Sequence, residues 1–531
     1  MIKMKHRKYI FFLFTMLVFV NNNLYTTVEL SAEENNILQW NISDLLPIDS
    51  GISILRYSTR GLGAYPYSYA TPGTGLHVNV DGIPLRSLSP FGPDLEFIPS
   101  KFVDSLEYNG WDELNIVTRD VADEEPLTST SFLLGSRRRF IFDMTFNRRL
   151  GKKAGIFVGG SSSGIHASND TEKNSLRIYY IKYQRYLENE STVNFSIRGF
   201  RDRDGLVDLD NISYKGNSKT GTHMGERKTD NYSVSLGINE YPISERTFIS
   251  PVVYYQSGNS RFHRYGLRKS LDEKSTGINV LLSRKSENNT YSLQALHDTR
   301  FFDSRLHNKE YKTWTRHESE FTASFKRENE RYRLFLSSGV INSSEYGAGT
   351  KFESEFALIV NPEHEIVLRG ITSDKFPDTG QEYYTSLVFS DTTIVSDLEK
   401  YNISQIETGV RFKKELFNLG LFVYGSYSKL PLLKVSPSLY ERVYDYSPVS
   451  NSTYCSMSSG EKSYGYRIYF DTHIEKQFIY DVTMNISQRS GKDKIWPYPS
   501  FELFSDIRMS GNFLNNVLKP TFFANARIST S

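Results

Sequence analysis

The feature that most constrains this chain is a two-residue alternation of side chains that recurs from about residue 127 onward. Apolar residues alternate with small or polar ones in segments such as 193–198 (VNFSIR), 232–239 (YSVSLGIN) and 478–487 (FIYDVTMNIS). Successive side chains of a β-strand point to opposite faces. Each segment therefore predicts a strand with one apolar face and one polar face.

The connections between these segments fall into two length classes. Short polar turns lie near 151–153, 188–190, 287–289, 328–330, 362–364 and 475–477. Long segments rich in Gly, Ser, Asp and Tyr lie near 203–228, 258–273, 374–402 and 429–461. Barrels that cross the bacterial outer membrane have short turns on the periplasmic side and long loops outside. The sorting of loops by length therefore favours a membrane barrel over a soluble sandwich.

Together these patterns predict an all-β transmembrane antiparallel barrel of about 18–22 strands. The mean hydropathy is polar, at -0.45, and after the N-terminal region no apolar run reaches the length of about 20 residues that a membrane helix needs. A soluble propeller would show a repeat of about 40 residues, and the sequence has none. Because every backbone amide must be paired in hydrocarbon, the sheet must close on itself.

The number of strands leaves two interpretations open. Alternating segments between 139 and 529 give about 18 strands, and a weaker one at 127–135 would make about 19, whereas single-chain bacterial barrels have even numbers. One interpretation is that the chain is a C-terminally truncated fragment whose closing strand or strands follow Ser531. The other is that the region 374–402 contains a further strand.

The first 32 residues are predicted to be a signal peptide. A basic start, from Lys3 to Lys8, precedes the apolar run 9–20 (YIFFLFTMLVFV). That run is too short to span a bilayer as a helix and has the length of a signal-peptide core. We therefore expect export across the inner membrane.

Residues 33–126 differ from the barrel that is predicted for 127–531. Gly, Pro and other turn signals concentrate in this segment, which predicts a small α+β plug-like domain in front of the barrel. Asp81-Gly82, flanked by Val80 and Ile83, predicts a hairpin turn. The segment 98–101 predicts the start of a helix.

Five segments of this domain, taken in order, resemble the plug of TonB-dependent receptors. They are 44–54 (DLLPIDSGISI), 58–63 (STRGLG), 78–85 (VNVDGIPL), 94–110 and 114–119 (LNIVTR). The resemblance extends loosely through the barrel, including 513–526. It implies a plug-and-barrel fold, with Arg60, Gly61, Asp81, Gly82 and Pro84 as the plug motif residues.

Two departures from the family are present. The Gly-rich stretch that usually precedes the last plug strand is replaced by Trp111-Asp112-Glu113, so the plug is shortened. No clear TonB box is found, and residues 26–30 (TTVEL) are only a weak candidate. Coupling to a TonB-type energy-coupling protein therefore stays open, as an implication of the resemblance alone.

The resemblance implies a transport protein of the cell outer membrane that binds a small nutrient at its extracellular loops and passes it through a plugged barrel. A metal chelate is the usual cargo of the family, but nothing in this sequence selects it. The alternatives are a passive porin-like channel with a vestigial plug and a surface-exposed binding or adhesion barrel. The expected partners are outer-membrane lipid, the nutrient and, by resemblance, the coupling protein. A monomer is expected.

The charge balance excludes one class of partner. Lys and Arg number 63 against 61 Asp and Glu, so no nucleic acid is expected to bind. No cofactor, metal site or catalytic residue is predicted either, and the chain is not expected to be an enzyme. Residues 160–164 (GSSSG) fit the G-x-S-x-G pattern, but they end a barrel strand rather than open a helix. The one cysteine, Cys455, is interpreted as a bystander in a loop.

Two charged clusters are open to more than one interpretation. The first comprises Asp202, Asp204, Asp208 and Asp210, in a predicted long loop. Such oxygens could hold a hard cation such as Ca²⁺, although a solvated acidic loop fits better. The second is Arg137–Arg139, which could contact anionic lipid headgroups or form an ordinary solvated turn.

Overall fold

The structure is a computed structural model. The described residues are 42, 52–55, 64–68, 76–86, 92–109, 113–121, 127–135, 139–165, 174–189, 191–207, 223–264, 267–306, 309–377, 399–414, 416–429, 431–434, 454–457, 460–475, 478–491, 501–511 and 521–530. Nearly all of them lie in β-strands. Within this part of the chain, no helix is long and apolar enough to cross a bilayer.

The plug-like domain contains two small sheets. Its six strands are β1 (Ile52–Leu55), β2 (Tyr65–Ser68), β3 (His77–Val80), β4 (Ile83–Pro84), β5 (Val103–Asn109) and β6 (Glu113–Thr118). Strands β1 and β2 pair antiparallel, and the second sheet has the order β4-β3-β6-β5, in which β3 and β6 run parallel. The second sheet is therefore mixed. Buried apolar residues form the core of the plug-like domain: Ile42, Ala64, Leu76, Val78, Val80, Leu85, Leu95, Ile98, Val103, Leu114 and Ile116.

The helical part of this domain is smaller than expected. In its described residues, the helical segments longer than one residue are two 3-10 turns, Leu95–Phe97 and Ser100–Phe102. The helix predicted from 98–101 is thus a single short turn, and Pro99 rather than Ser100 occupies its N-cap. The turn ends because Val103, a β-branched residue, begins strand β5 at once.

The barrel strands follow those of the plug-like domain along the chain. Its strands are β7 (Leu127–Gly135), β8 (Arg139–Arg149), β9 (Ala154–Ile165), β10 (Asn174–Tyr186), β11 (Thr192–Val207), β12 (His223–Asn239), β13 (Tyr241–Ser244), β14 (Thr247–Arg264), β15 (Leu267–Ser286), β16 (Asn289–Leu306), β17 (Lys309–Glu328), β18 (Tyr332–Ser343), β19 (Gly347–Asn361), β20 (His364–Lys375), β21 (Tyr401–Lys414), β22 (Phe417–Ser428), β25 (Glu461–Glu475), β26 (Phe478–Gly491), β27 (Phe501–Gly511) and β28 (Thr521–Thr530). A separate hairpin, β23 (Pro431–Lys434) and β24 (Tyr454–Met457), precedes β25.

These strands form a closed barrel in which β28 lies next to β7. Strands β12 and β13 both pair with β14 and are separated by Glu240, which has a positive φ of 49°. If β12 and β13 are counted as one strand, the 20 strand segments among the described residues form a barrel of 19 strands. The weak strand predicted at 127–135 is confirmed as β7. A further strand within 374–402 would fall mostly outside the described residues, and closing strands after Ser531 stay a prediction.

Five of the six predicted short turns are confirmed, whereas residues 476 and 477 of the sixth lie outside the described residues. One of the predicted long loops is wrong. Residues 258–273 continue strands β14 and β15, which stay paired up to Arg264 and Leu267. The predicted loop 203–228 is shorter than expected at both ends, since β11 extends to Val207 and β12 begins at His223, while residues 208–222 lie outside the described residues. Backbone pairing continues where the side chains turn polar, because ladder hydrogen bonds do not need apolar faces. Strands of 20 residues span about 60 Å, well beyond the apolar band of about 25 Å.

The distribution of side chains is that of a membrane barrel. Large apolar residues point outward and are exposed, for example Phe132 at 60% and Leu134 at 68%. Charged and polar residues point into the lumen and are buried, among them Lys182, Glu407 and Arg467. Exposed apolar residues in such numbers are unusual in a soluble monomer. An outward apolar face with a polar interior is typical of transmembrane barrels.

The charged and small-residue motifs singled out in the sequence fall on strands as far as they are described. Residues 160–164 lie within β9, so the G-x-S-x-G pattern forms no nucleophile elbow. Asp202 and Asp204 lie in β11 and not in a loop, because the β11–β12 ladder extends past them. Asp208, Asp210, Arg137 and Arg138 lie outside the described residues, while Arg139 begins β8. Cys455 lies in β24 rather than in a loop.

Candidate functional site

The plug motif forms a hairpin whose tip is held against the barrel wall. Strands β3 and β4 are joined by Asp81 and Gly82, both with positive φ, at 51° and 77°. Asn279 of β15 donates its side-chain amide to the Gly82 carbonyl at 2.8 Å. Gln256 of β14 does the same to the Pro84 carbonyl at 2.8 Å. Aspartate and glycine fit this turn because they tolerate the left-handed region better than most residues do.

The Asp81 carboxylate joins the hairpin to the last plug strand and to the barrel. One oxygen accepts from the Thr118 amide at 2.9 Å, and the other accepts from the Thr118 hydroxyl at 2.6 Å. The Tyr180 hydroxyl of β10 also donates to Asp81, at 3.2 Å. Three separated pieces of the chain therefore share one buried polar cluster.

Strand β10 binds the end of the plug with alternate residues of its inward face. Lys182 donates its ammonium to the Thr118 carbonyl at 3.2 Å and pairs with Asp120 at 2.7 Å. Two further inward residues extend the contact. Gln184 donates its side-chain amide to Asp120 and accepts from the backbone amide of Val121. Tyr186 donates its hydroxyl to the Val121 carbonyl. This spacing of two residues is what a strand face provides, so the end of the plug is fixed along β10.

Two glycines of β9 provide space for plug side chains. An added Cβ on Gly159 would lie 2.4 Å from the ring of Phe102, and one on Gly155 would lie 2.4 Å from Val121. The Phe102 ring packs against Phe157 and Tyr180 of the barrel, each with ring centroids 6.0 Å apart. The plug side chains Phe102 and Val121 therefore occupy the space that a side chain at Gly159 or Gly155 would fill.

An ionic chain connects the plug to the strands on its other side. Arg86 pairs with Asp298 of β16, which also accepts from the Arg300 guanidinium at 3.1 Å. Arg300 in turn pairs with Glu318 of β17. Burial lowers the pKa of Arg86, but the Asp298 and Glu318 carboxylates raise it by more, so this pKa lies above its ordinary value. Arg86 is consequently a permanent cation held inside the barrel.

Beside this ionic chain lies a cavity of about 160 Å³ between the plug and the barrel wall. Plug residues such as His77, Asn79 and Arg86 form one side of it. The barrel side includes charges of both signs: Asp298, Arg300, Glu318, Glu320, Lys351, Asp374 and Lys375. Most of these lie in the half of their strands away from the short turns. The cavity therefore lies toward the end of the barrel that carries the long hairpins.

The plug also contacts the opposite wall. Tyr67 of β2 donates its hydroxyl to Glu502 of β27 at 3.0 Å, and the Ser68 hydroxyl donates to Gln405 of β21 at 3.3 Å. Contacts to β9, β10, β14, β15, β16, β21 and β27 place the plug inside the lumen.

Of the predicted plug motif, Asp81, Gly82 and Pro84 come together at the hairpin, whereas Arg60 and Gly61 lie outside the described residues. Sequence reasoning missed Arg86 and its partners Asp298 and Arg300, as well as Lys182. Charges at alternate inward positions of β10 and β16 were the available signal. Pairing across more than two hundred residues of sequence could not be deduced from it.

Comparisons with known proteins place the fold. The sequence matches no family model and no curated protein. The structure is similar to the FrpB iron transporter from Neisseria meningitidis (F3-3 variant), at 10% identity and a TM-score of 0.66, over 95% of this chain and 86% of that one. It is also similar to the copper transporter OprC, at 10% identity and a TM-score of 0.66, over 91% and 84%.

A third similar structure is BauA, the ferric preacinetobactin receptor from Acinetobacter baumannii. Its identity is 12% and its TM-score 0.63, over 93% of this chain and 87% of that one. Identities this low establish similarity of fold. The five plug motifs, the seated plug and these three structures agree: the chain has the plug-and-barrel fold of TonB-dependent outer-membrane receptors.

Proposed function

We propose that this protein is an outer-membrane receptor that binds a small polar nutrient above its plug and admits it through the barrel. The observation that carries the proposal is the plug seated in the lumen, with a cavity of about 160 Å³ on the side of the long hairpins. A lumen this wide would conduct freely if it were empty, because barrels of 16–18 strands already leave a water-filled channel. The plug contacts close that route.

The cavity suggests what kind of ligand it would take. The lining contains the cations Lys351, Lys375 and Arg300 and the carboxylates Glu318 and Glu320. A lining of both signs suits a compact ligand with several polar groups better than an apolar one. The similar structures carry iron, copper and a ferric chelate in their names, so a metal chelate is the first cargo to test. Release into the periplasm would need the plug to move, for which we propose a TonB-type coupling protein.

The test measures binding by the full chain with quenching of the Trp314 fluorescence, since Trp314 stacks on Phe302 with ring centroids 4.6 Å apart. The probes are an anionic ferric catecholate complex, ferric citrate and Cu²⁺. The double variant Lys351→Gln/Lys375→Gln should weaken binding of an anionic chelate at least about tenfold, because each charged hydrogen bond contributes about 1.5–3 kcal/mol.

The matched control is Lys152→Gln/Lys153→Gln, which changes two lysines in the exposed β8–β9 turn. It should bind as the unaltered chain does. A Trp314→Phe variant identifies which part of the signal comes from the site. Equal binding by the two double variants, or no binding of any probe, would contradict a receptor site in this cavity.

A further inference from the structure

Two histidines face each other on the outer wall of the barrel. His297 of β16 and His317 of β17 have ring centroids 6.4 Å apart, and their ring planes are inclined by 10°. Both side chains are exposed. They point away from the lumen, because the neighbouring Asp298 and Arg316 are buried on the inner side. The two residues, here called the histidine pair, are therefore on the opposite face of the wall from the cavity beside the plug.

The strand register sets the two histidines on a diagonal. His297 lies opposite Ser319, and His317 lies opposite Thr299. Diagonal neighbours on one face of an antiparallel pair are about 7–8 Å apart, a gap that aromatic side chains can bridge. Ser319 and Thr299 belong to the same outward rows as the histidines. Two hydroxyl groups and two imidazole rings consequently share one face of the sheet.

The two hydroxyl groups orient the rings. The Ser319 hydroxyl lies 2.8 Å from Nδ1 of His297. The Thr299 hydroxyl lies 3.4 Å from Nε2 of His297 and 3.1 Å from Nδ1 of His317. When His297 donates its Nδ1 proton to Ser319, its Nε2 lone pair faces the same point as Nδ1 of His317. Metal-binding histidines have this arrangement, with one nitrogen on the ion and the other donating to an outer partner.

The spacing of the rings suits one shared ion. Nitrogen–metal bonds of about 2.0–2.1 Å allow two imidazole centres to lie about 4.5–6.4 Å apart, as the angle at the ion opens from a right angle to a straight line. The observed 6.4 Å is the wide end of this range, and exposed side chains can shorten it by rotation. Among the described residues no group of three or more His, Cys, Asp and Glu could hold a metal, so water would complete the coordination of an ion on this pair.

The histidine pair lies beyond the apolar part of the outer wall. On the outward face of β17, Phe321 is 53% exposed, and Ser319 and His317 follow it toward the long hairpins. On β18, the exposed Val340 is followed at the next outward position by Asn342, which lies opposite Ser319. Polar outward residues above apolar ones mark the end of the hydrocarbon layer. Dissolved ions can therefore reach the pair from the side of the long hairpins.

We propose that the histidine pair binds a divalent transition-metal ion, Cu²⁺ or Zn²⁺, on the outer surface of the barrel. Imidazole nitrogens suit these ions, whereas Mg²⁺ and Ca²⁺ prefer oxygen ligands. Cu²⁺ should bind more tightly than Zn²⁺, as it does to most nitrogen ligands. In the described part of the chain, β17 pairs with β18 only up to Glu318. A bound ion would join β17 to β16 at the level where its ladder with β18 ends.

The test is a Cu²⁺ titration of the full chain, purified in neutral detergent without a histidine tag. Electron paramagnetic resonance of the bound Cu²⁺ counts the coordinated nitrogens, and we expect one tight equivalent held by two imidazoles. His297→Asn and His317→Asn should each weaken this binding at least about tenfold, because a chelate that loses one arm keeps only the weaker affinity of the other. Replacing both histidines should cost little more than replacing either, since one ion uses both.

The matched control is His364→Asn. His364 lies at the short-turn end of β20 and hydrogen-bonds Asn361 at 2.7 Å, so its replacement should leave the tight Cu²⁺ site unchanged. Heat-modifiable migration on gels confirms that each variant still forms its barrel. The proposal is overturned if the two single variants bind Cu²⁺ as tightly as the control does. It is also overturned if each variant removes an independent site, so that their effects add, or if Mg²⁺ binds as tightly as Cu²⁺.

The metal site and the receptor cavity can fail separately. Lys351→Gln/Lys375→Gln, which alters the cavity, should leave the tight Cu²⁺ site unchanged. The histidine variants should in turn leave binding of an anionic ferric chelate unchanged. Loss of the tight Cu²⁺ site in the lysine variant would overturn the assignment of that site to the histidine pair.

Discussion

Replacement of Asp298 by alanine should loosen the plug and make cells that carry the protein sensitive to bulky hydrophilic antibiotics. Asp298 is 1% exposed and accepts from both Arg86 of the plug and Arg300 of the barrel. Arg300 keeps Glu318, but Arg86 loses its ion-pair partner and keeps only the weaker interaction with Glu318 on the barrel wall. Removing one partner of a buried ion pair costs about 3–5 kcal/mol, because it leaves an uncompensated charge. We expect this cost to fall on the seated state of the plug.

The matched control replaces the Arg86 cation together with its partner Asp298. In the double variant Arg86→Met/Asp298→Leu no unpaired cation remains, and replacing a buried pair by apolar residues is often neutral. Antibiotic resistance should therefore return toward that of the unaltered chain. Resistance of Asp298→Ala equal to that of the unaltered chain would show that the ion pair does not secure the plug. Sensitivity of the double variant equal to that of Asp298→Ala would show that the cost does not come from the unpaired charge.

Replacement of Gly159 by leucine should displace the end of the plug from β9. The added Cβ would lie 2.4 Å from Phe102, whose ring is enclosed by Phe157 and Tyr180. Overpacking of this kind costs about 1–3 kcal/mol, because the Phe102 ring would have to move away from the added side chain. Limited proteolysis of the detergent-purified chain should then cleave the plug faster.

Gly160 provides a control one residue away. It lies on the outward side of the same strand, and an added Cβ there meets nothing within 4 Å. Gly160→Leu should leave the rate of plug cleavage unchanged and add one apolar residue to the lipid face. If the two variants are cleaved at the same rate, the proposed seat of Phe102 on Gly159 is wrong.

The barrel was predictable from sequence because its main signal is local. The alternation in 232–239 or 478–487 fixes which face of each strand is apolar, and a hydrocarbon environment then requires closure. The hairpin at Asp81-Gly82 was predictable for a similar reason, since its turn type demands residues that tolerate positive φ. Such signals lie within a few residues of one another.

The contacts that seat the plug were not predictable in this way. Arg86 and Asp298 are separated by 212 residues, and an inward charge on a barrel strand looks the same whether it meets water or the plug. Gly159 gave no sign that it faces Phe102. The lengths of β14 and β15 were also missed, because polar residues at 258–273 indicate a loop by composition but continue the ladder in space.

The central claim is that the plug closes the barrel, and planar-bilayer conductance of the intact chain tests it most directly. Heat-modifiable migration on gels first establishes that the preparation contains folded barrels. We predict no steady conductance above that of the bare membrane for the intact chain, and large, stable currents for the same chain without residues 33–121. A steady current through the intact chain that matches the plug-free one would contradict the account and identify a passive channel instead.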